Sequence, residues 1–217
     1  MPYPLLTPIG KILLHAIFDI RLSIDAPLPS GHYIISANHH SWLDPILITL
    51  IWPRSVDLMY IGPGDVVINT WWKKWFIGGL HRVILTPQRS GWLGMAASKQ
   101  VLQGFDAGLS LLIFPEGDAY PQEGRIQPFY NGVAYFALKK GLPIVPVGLC
   151  GTADLYYRKQ IFVHIGMPIE IPRSPQYDKK QVEDTLKIIE DSIRRSIDGY
   201  RDPDVTSKPL HWLTHLM

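Results

Sequence analysis

Tyr33-Ile34-Ile35-Ser36-Ala37-Asn38-His39-His40-Ser41-Trp42-Leu43-Asp44-Pro45 is the stretch whose reading decides the fold and points to the chemistry. Tyr33 to Ala37 is a short apolar run bounded by breakers, which predicts a buried strand. Pro45 suits the first turn of a helix reaching about Trp52, with Asp44 before it as N-cap. His39 and Asp44 stand five positions apart between the two elements. That spacing is not one face of a helix, but a strand-to-helix turn can bend the two side chains together. A neutral imidazole can take a proton from a hydroxyl. A carboxylate behind it can fix the tautomer and stabilise the imidazolium that forms. A second reading leaves Asp44 serving backbone N–H groups alone. No serine or cysteine nucleophile is obviously placed beside the pair, which points to a base acting on a substrate hydroxyl.

Outward from this stretch, the pattern repeats. Ile20, Leu22 and Ile24 alternate with Arg21, Ser23 and Asp25 and predict a half-exposed strand. Buried strands are expected at Arg82 to Leu85, Leu109 to Phe114, Ile144 to Gly148 and Ile161 to Ile165. Helices are expected from Gly91 to Gln103 with Ser90 as cap, and from Gly132 to Lys140 ending at Gly141. A last helix is expected from about Asp178, with Val182, Leu186, Ile189, Ile193 and Ile197 on one stripe and Gly199 past its end. Short buried strands alternating with helices imply an α/β fold: a mixed, largely parallel sheet covered by helices on both faces.

The N-terminus adds an amphipathic helix, with Thr7 as cap and Pro8 at its first position. Lys11, His15 and Asp19 share a narrow stripe, while Ile9, Ile12, Leu13, Ala16, Ile17 and Ile20 cover much of the rest. So wide an apolar surface is buried either in the domain's own core or in a membrane interface. The expected organisation is an N-terminal helix over 1–20, a domain over 21–200 and a tail over 201–217.

Composition narrows the function. The 217 residues carry 21 basic and 19 acidic side chains, a net +2. That balance gives no support to a nucleic-acid partner, which would call for a strongly basic face. A single cysteine, Cys150, forbids an intramolecular disulfide and fits a reducing compartment, with its thiol buried and inert in an apolar run. No segment reaches the roughly 18 consecutive apolar residues of a membrane span. The N-terminal run lacks the cleavage pattern of a signal peptide.

Other candidate residues follow. Phe114-Pro115-Glu116-Gly117 leaves a predicted strand and sets Glu116 at a sheet edge, where ligands bind in open α/β sheets. Gly117 permits a sharp turn or close backbone approach. Arg89, with Arg82 nearby, is a candidate phosphate grip. Leu142-Pro143-Ile144-Val145-Pro146-Val147 has no titratable group and would supply a wall for an apolar substrate. A competing reading gathers His39, His40 and Asp44 around a divalent cation in a metal-dependent hydrolase. A third is a silent lipid-binding scaffold, although the joint presence of His39, Asp44 and Glu116 argues against it.

In this order the blocks resemble the glycerolipid acyltransferase family typified by 1-acyl-glycerol-3-phosphate acyltransferase. Asn38-His39 to Asp44-Pro45 is similar to the family's His-x-x-x-x-Asp motif, Phe114 to Gly117 to its Phe-Pro-Glu-Gly motif, and Val145-Pro146-Val147 to its last block. The arginine block matches most weakly: Arg89 comes late, and Arg82 is the second candidate. The chain departs from the family where Asp118-Ala119 replaces Thr-Arg, with Arg125 a possible substitute. The resemblance implies acyl transfer from acyl-CoA or acyl-carrier protein to a lysophospholipid-type acceptor, or to a non-phosphate lipid hydroxyl or amine. His39 would be general base and Asp44 its partner, with Glu116, Gly117 and Arg89 or Arg82 holding the acceptor. No cofactor or metal is implied. A lipid acceptor in turn implies work at the cytoplasmic face of a membrane, to which Trp71-Trp72-Lys73-Lys74-Trp75-Phe76 is suited.

Overall fold

The computed structural model describes residues 6–63, 82–86 and 94–216. Strands β1 (Asp19–Ile24), β2 (Ile34–Ala37), β3 (Leu58–Pro63), β4 (Arg82–Thr86), β5 (Ser110–Ile113), β6 (Ile144–Cys150) and β7 (Gln160–Ile165) make one sheet in the order β1-β7-β6-β2-β5-β3-β4. All pairings are parallel except β6–β7, so β1 and β7 run against the rest. The helices are α1 (Leu6–Ile17), α2 (Leu43–Ile51), α3 (Met95–Asp106), α4 (Gly132–Lys140) and α5 (Lys179–Ile197), and a 3-10 turn spans His211–His215. This is the mixed α/β sheet expected from the sequence.

The register explains why the central strands read as unbroken apolar runs. Ile34 aligns with Leu111 and Ile144, and Ile35 with Leu112 and Val145. Successive strand residues point to opposite faces. The first set packs beneath Phe105 of α3, Phe136 of α4 and Ile189 and Ile193 of α5. The second packs beneath Leu14 of α1 and Leu47 and Ile48 of α2, and Leu213 of the tail joins that core. With both faces covered, both neighbours must be apolar. Truncating Ile35 to alanine is expected to cost about 2–5 kcal/mol, because the site is sealed on every side.

Two helices match their sequence signals closely. α4 stops at Gly141, whose φ of 68° is left-handed and whose absent Cβ would lie 2.7 Å from the Cβ of Arg173. In α5, the Asp178 side chain accepts from the Gln181 N–H at 2.8 Å, and the Gln181 side chain accepts from the Asp178 N–H at 3.0 Å. α5's apolar stripe is buried at Val182, Ile189, Ile193 and Ile197.

Other expectations are corrected. β3 was not foreseen, because Leu58-Met59-Tyr60-Ile61 is too short to separate from its neighbours by period. α2 begins at Leu43, so Asp44 lies inside its first turn rather than capping it. α1 begins at Leu6, which places Thr7 within the helix. The expected cap Ser90 lies outside the described residues, and the boundary expected at 20/21 falls within β1. Leu142 and Ile144 lie in one core and Val145 and Val147 in the other, so this strand packs the domain on both faces instead of walling an open site.

α1 answers the question about its apolar surface in part. Leu14 is buried, and Gly10 packs so closely on α2 that a Cβ there would lie 2.9 Å from the Leu50 side chain. Ile9, Ile12 and Leu13 remain 53%, 68% and 56% exposed. Among the described residues, no helix is long and apolar enough to cross a membrane.

Candidate active site

β2 ends at Ala37, and the residues beyond its carboxyl end are fixed one after another. Asn38 is fully buried. Its Oδ1 accepts the Leu149 N–H at 2.7 Å, and its Nδ2 donates to the Leu149 carbonyl at 2.8 Å, tying the ends of β2 and β6 together. Because the Leu149 N–H can only donate, the amide has one orientation. Asn38 Nδ2 therefore also donates to His40 Nε2 at 2.8 Å. His40 carries its proton on Nδ1, which donates to the Tyr120 carbonyl at 2.9 Å.

This removes the metal reading. Both ring nitrogens of His40 are engaged inside the protein, so it has no lone pair to offer a cation beside His39 and Asp44. Among the described residues, no group of three histidine, cysteine, aspartate or glutamate side chains is arranged to hold a metal.

His39 is held on every side but one. Its N–H donates to Glu116 Oε1 at 2.9 Å, and its carbonyl accepts the Tyr120 N–H at 2.8 Å. Its ring stacks on Phe114, with centroids 4.2 Å apart and planes 22° from parallel. Nδ1 lies 2.8 Å from Asp44 Oδ2. A carboxylate partner puts the proton on Nδ1 and leaves the lone pair on Nε2, which has no hydrogen-bond partner among the described residues. The His39 side chain is 17% exposed, while that of Asp44 is fully buried.

Asp44 Oδ2 gathers three donors: His39 Nδ1, the His40 N–H at 2.6 Å and the Ser41 N–H at 2.8 Å. The carboxylate thus serves the imidazole as well as backbone N–H groups, which corrects the reading that left it to backbone N–H groups alone. Burial pushes its pKa up. The His39 hydrogen bond and charge, the Ser41 N–H and the nearby Thr152 hydroxyl outweigh that and leave it below the usual range.

The remaining candidates divide. Glu116 is 5% exposed, and its oxygens accept the N–H of His39 and the N–H of Gln127, the latter at 2.7 Å. Its carboxylate is turned into the protein and braces the histidine backbone. Burial raises its pKa against those two bonds. Gly117, exposed at φ 80°, closes a tight turn by donating to the Phe114 carbonyl at 3.1 Å. The backbone of Arg82 opens β4 at the N-terminal end of the parallel strands, opposite to the end carrying His39. Arg89 and Trp71 to Phe76 lie outside the described residues. Asp118 is exposed and accepts its neighbour Ala119 N–H at 2.9 Å, while Arg125 is exposed with no ion pair among the described residues. Cys150 is 3% exposed, and burial, then the charges of Glu123 and Asp202, push its thiol up to about 12.

Sequence reasoning did not find the groups behind the pair. Glu123 accepts the Ala153 N–H at 2.7 Å and reaches to 3.8 Å from His40 Nε2. Trp42, inside the motif itself, donates to the Leu213 carbonyl of the tail at 2.8 Å. Thr214 accepts the Leu155 N–H at 2.8 Å and donates to the Leu155 carbonyl at 3.1 Å. Such long-range partners leave no periodic trace in a sequence.

A buried carboxylate, a stacked imidazole and an Nε2 without a partner among the described residues thus stand together at the carboxyl end of the mixed sheet's central strand. The Acyltransferase family model matches residues 19–150, more than half of the chain, and the chain belongs to the glycerolipid acyltransferase family. It is 34% identical over 103 residues to a 1-acyl-sn-glycerol-3-phosphate acyltransferase of Limnanthes douglasii, covering 45% of this chain and 36% of that protein. It is 29% identical over 181 residues to a protein of the same description from Borreliella burgdorferi, covering 77% and 67%. The chain thus spans little more than a third of the length of the plant relatives it matches. The crystal structure of the 1-acyl-sn-glycerophosphate acyltransferase PlsC from Thermotoga maritima shares the fold, with a TM-score of 0.66 at 19% identity over 91% of this chain and 80% of that one.

Proposed function

We propose that the protein transfers a fatty acyl group from a thioester, acyl-CoA or acyl-carrier protein, to the free hydroxyl of a lysophospholipid such as 1-acyl-glycerol-3-phosphate. The observation that carries this reading is the 2.8 Å bond from His39 Nδ1 to Asp44 Oδ2, which leaves Nε2 as a lone-pair acceptor on a ring still 17% exposed. Nε2 takes the acceptor's proton as its oxygen attacks the thioester carbonyl. The C–S bond then breaks, and the thiolate leaves with the proton returned from the imidazolium. Asp44 holds the ring and balances its transient charge. The thioester is already activated, so the reaction asks for no further cofactor. Names of relatives such as the Borreliella protein support the acceptor class. Arg89 and the Gly117 turn are the chain's own candidates for holding it.

The apolar residues that α1 leaves exposed, Ile9, Ile12 and Leu13, support docking on a membrane surface, where donor and acceptor chains reside. The test is purified protein with acyl-CoA or acyl-carrier protein and a panel of lysophospholipid and non-phosphate acceptors, read by mass spectrometry. Acylation of 1-acyl-glycerol-3-phosphate is expected. Product only from acceptors without phosphate would overturn the acceptor, and no acyl product from any pair would overturn the reaction.

A further inference from the structure

Behind the His39–Asp44 pair lies an unfinished hydrogen bond. Asp44 Oδ2 has three donors, yet Asp44 Oδ1, equally buried, has no partner. The hydroxyl of Thr152, on a residue that is 0% exposed, has none either. Burying a hydroxyl or a carboxylate oxygen unpaired is costly, so two such orphans side by side call for explanation.

The segment carrying Thr152 is fixed at every neighbouring position. Leu149 is clamped by Asn38 through two bonds. Gly151 has φ 85°, and a Cβ there would lie 2.3 Å from the Gln160 carbonyl oxygen, so only glycine fits. The Ala153 N–H is held by Glu123, whose other oxygen approaches His40, the residue whose own N–H donates to Asp44. Leu155 is held by Thr214 of the tail. So much constraint on one short turn delivers a hydroxyl to the back of a carboxylate. The same hydroxyl is among the influences that keep the Asp44 pKa low.

We propose that Thr152 is a positioning residue: its hydroxyl donates to Asp44 Oδ1 and holds the carboxylate plane so that Oδ2 stays aimed at His39 Nδ1. This rests on the reading of His39 as general base. Pairing the two atoms satisfies both orphans at once, and it secures the carboxylate when the imidazole becomes charged. Thr152 touches no substrate in this role, so its loss acts on turnover and not on substrate binding.

The test compares Thr152→Val, which deletes the hydroxyl at similar volume, with Thr152→Ser, which keeps it. Acyl transfer kinetics are read together with the low-field proton resonance of His39 Nδ1–H, identified by its loss in His39→Ala. Thr152→Val is expected to lower kcat roughly ten-fold or more, as losing a hydrogen bond to a charged group does, with KM unchanged. It is also expected to move the resonance, while Thr152→Ser restores both. Wild-type kcat and an unmoved resonance in Thr152→Val would overturn the inference. Should Thr152→Val fail to fold by circular dichroism, Thr152→Ala against Thr152→Ser decides, and equal losses in both would also overturn it. His39→Ala is run alongside. If it retains turnover, the base reading falls and takes this inference with it. If it is inactive while Thr152→Val is normal, this inference alone falls.

Discussion

The N–H of His39 donates to the carboxylate of Glu116 at 2.9 Å, joining residues 77 positions apart. Each end of this bond belongs to a different sequence block, and each block leaves the carboxyl end of a neighbouring strand, β2 or β5. Parallel pairing of β2 with β5 brings the two exits side by side. The acidic block therefore sets the position of the imidazole through its backbone.

Replacing Glu116 separates this role from substrate contact. Glu116→Gln turns one acceptor into a donor facing a buried N–H. It is expected to cost about 1–3 kcal/mol in urea unfolding, with a fall in kcat and an unchanged KM for the acceptor. A raised acceptor KM at unchanged stability would instead make Glu116 a binding residue.

His39→Ala is expected to reduce acyl transfer by about a hundred- to ten-thousand-fold while circular dichroism stays native. Asp44→Asn is expected to fall in a similar range, because the amide no longer holds the imidazole's tautomer. Retained turnover in His39→Ala would remove it from the reaction.

Stability should respond to pH in opposite senses at neighbouring carboxylates. The Asp44 pKa is lowered in the fold, so its contribution is fully present above the usual aspartate range and is lost as pH falls through its folded value. Burial raises the pKa of Glu123, which has one oxygen unpaired, so the fold holds its proton longer than the unfolded chain. That group costs stability as pH rises from the usual glutamate range through its raised value. Denaturation series on Asp44→Asn and Glu123→Gln check both. The wild type's margin over Asp44→Asn should shrink in acid, and Glu123→Gln should gain on the wild type as pH rises.

Exposed α1 residues carry the docking proposal. Each large aliphatic side chain withdrawn from water contributes about 1.5–3 kcal/mol. Changing Ile12 and Leu13 together to glutamate is expected to abolish flotation with anionic phospholipid vesicles and to leave the thermal transition nearly unchanged. Unaltered flotation would show that α1 is not the contact.

The tail is expected to matter for stability out of proportion to its length. Thr214→Val leaves the N–H of Leu155 without its partner, at about 1–3 kcal/mol. Differential scanning calorimetry should register this as a lowered midpoint.

Legibility in the sequence tracked the range of the cause. Gly141 acts within a turn of its own helix and marks the end of α4, while the start of α5 was legible only to about Asp178. β2, β5 and β6 were visible because burial on both faces writes an apolar run. His39 and Asp44 were visible because they stand five positions apart across one strand-to-helix turn. Glu116 was legible as a residue, but its bonds to Gln127 and to the backbone of His39 were not. Thr152 and Glu123 were invisible, since their meaning comes only from β6 lying beside β2. Asp44 was mistaken for a cap because Pro45 is as acceptable inside the first turn as at its start.

The Asn38 amide that settles the His40 tautomer also makes two adjacent imidazoles chemically unequal. One has both nitrogens locked into the interior, and the other keeps a single lone pair toward the outside. An electrophilic acylating or carbethoxylating reagent meets one nucleophilic nitrogen at this doublet, so labelling by peptide mass mapping addresses His39 and passes over its neighbour.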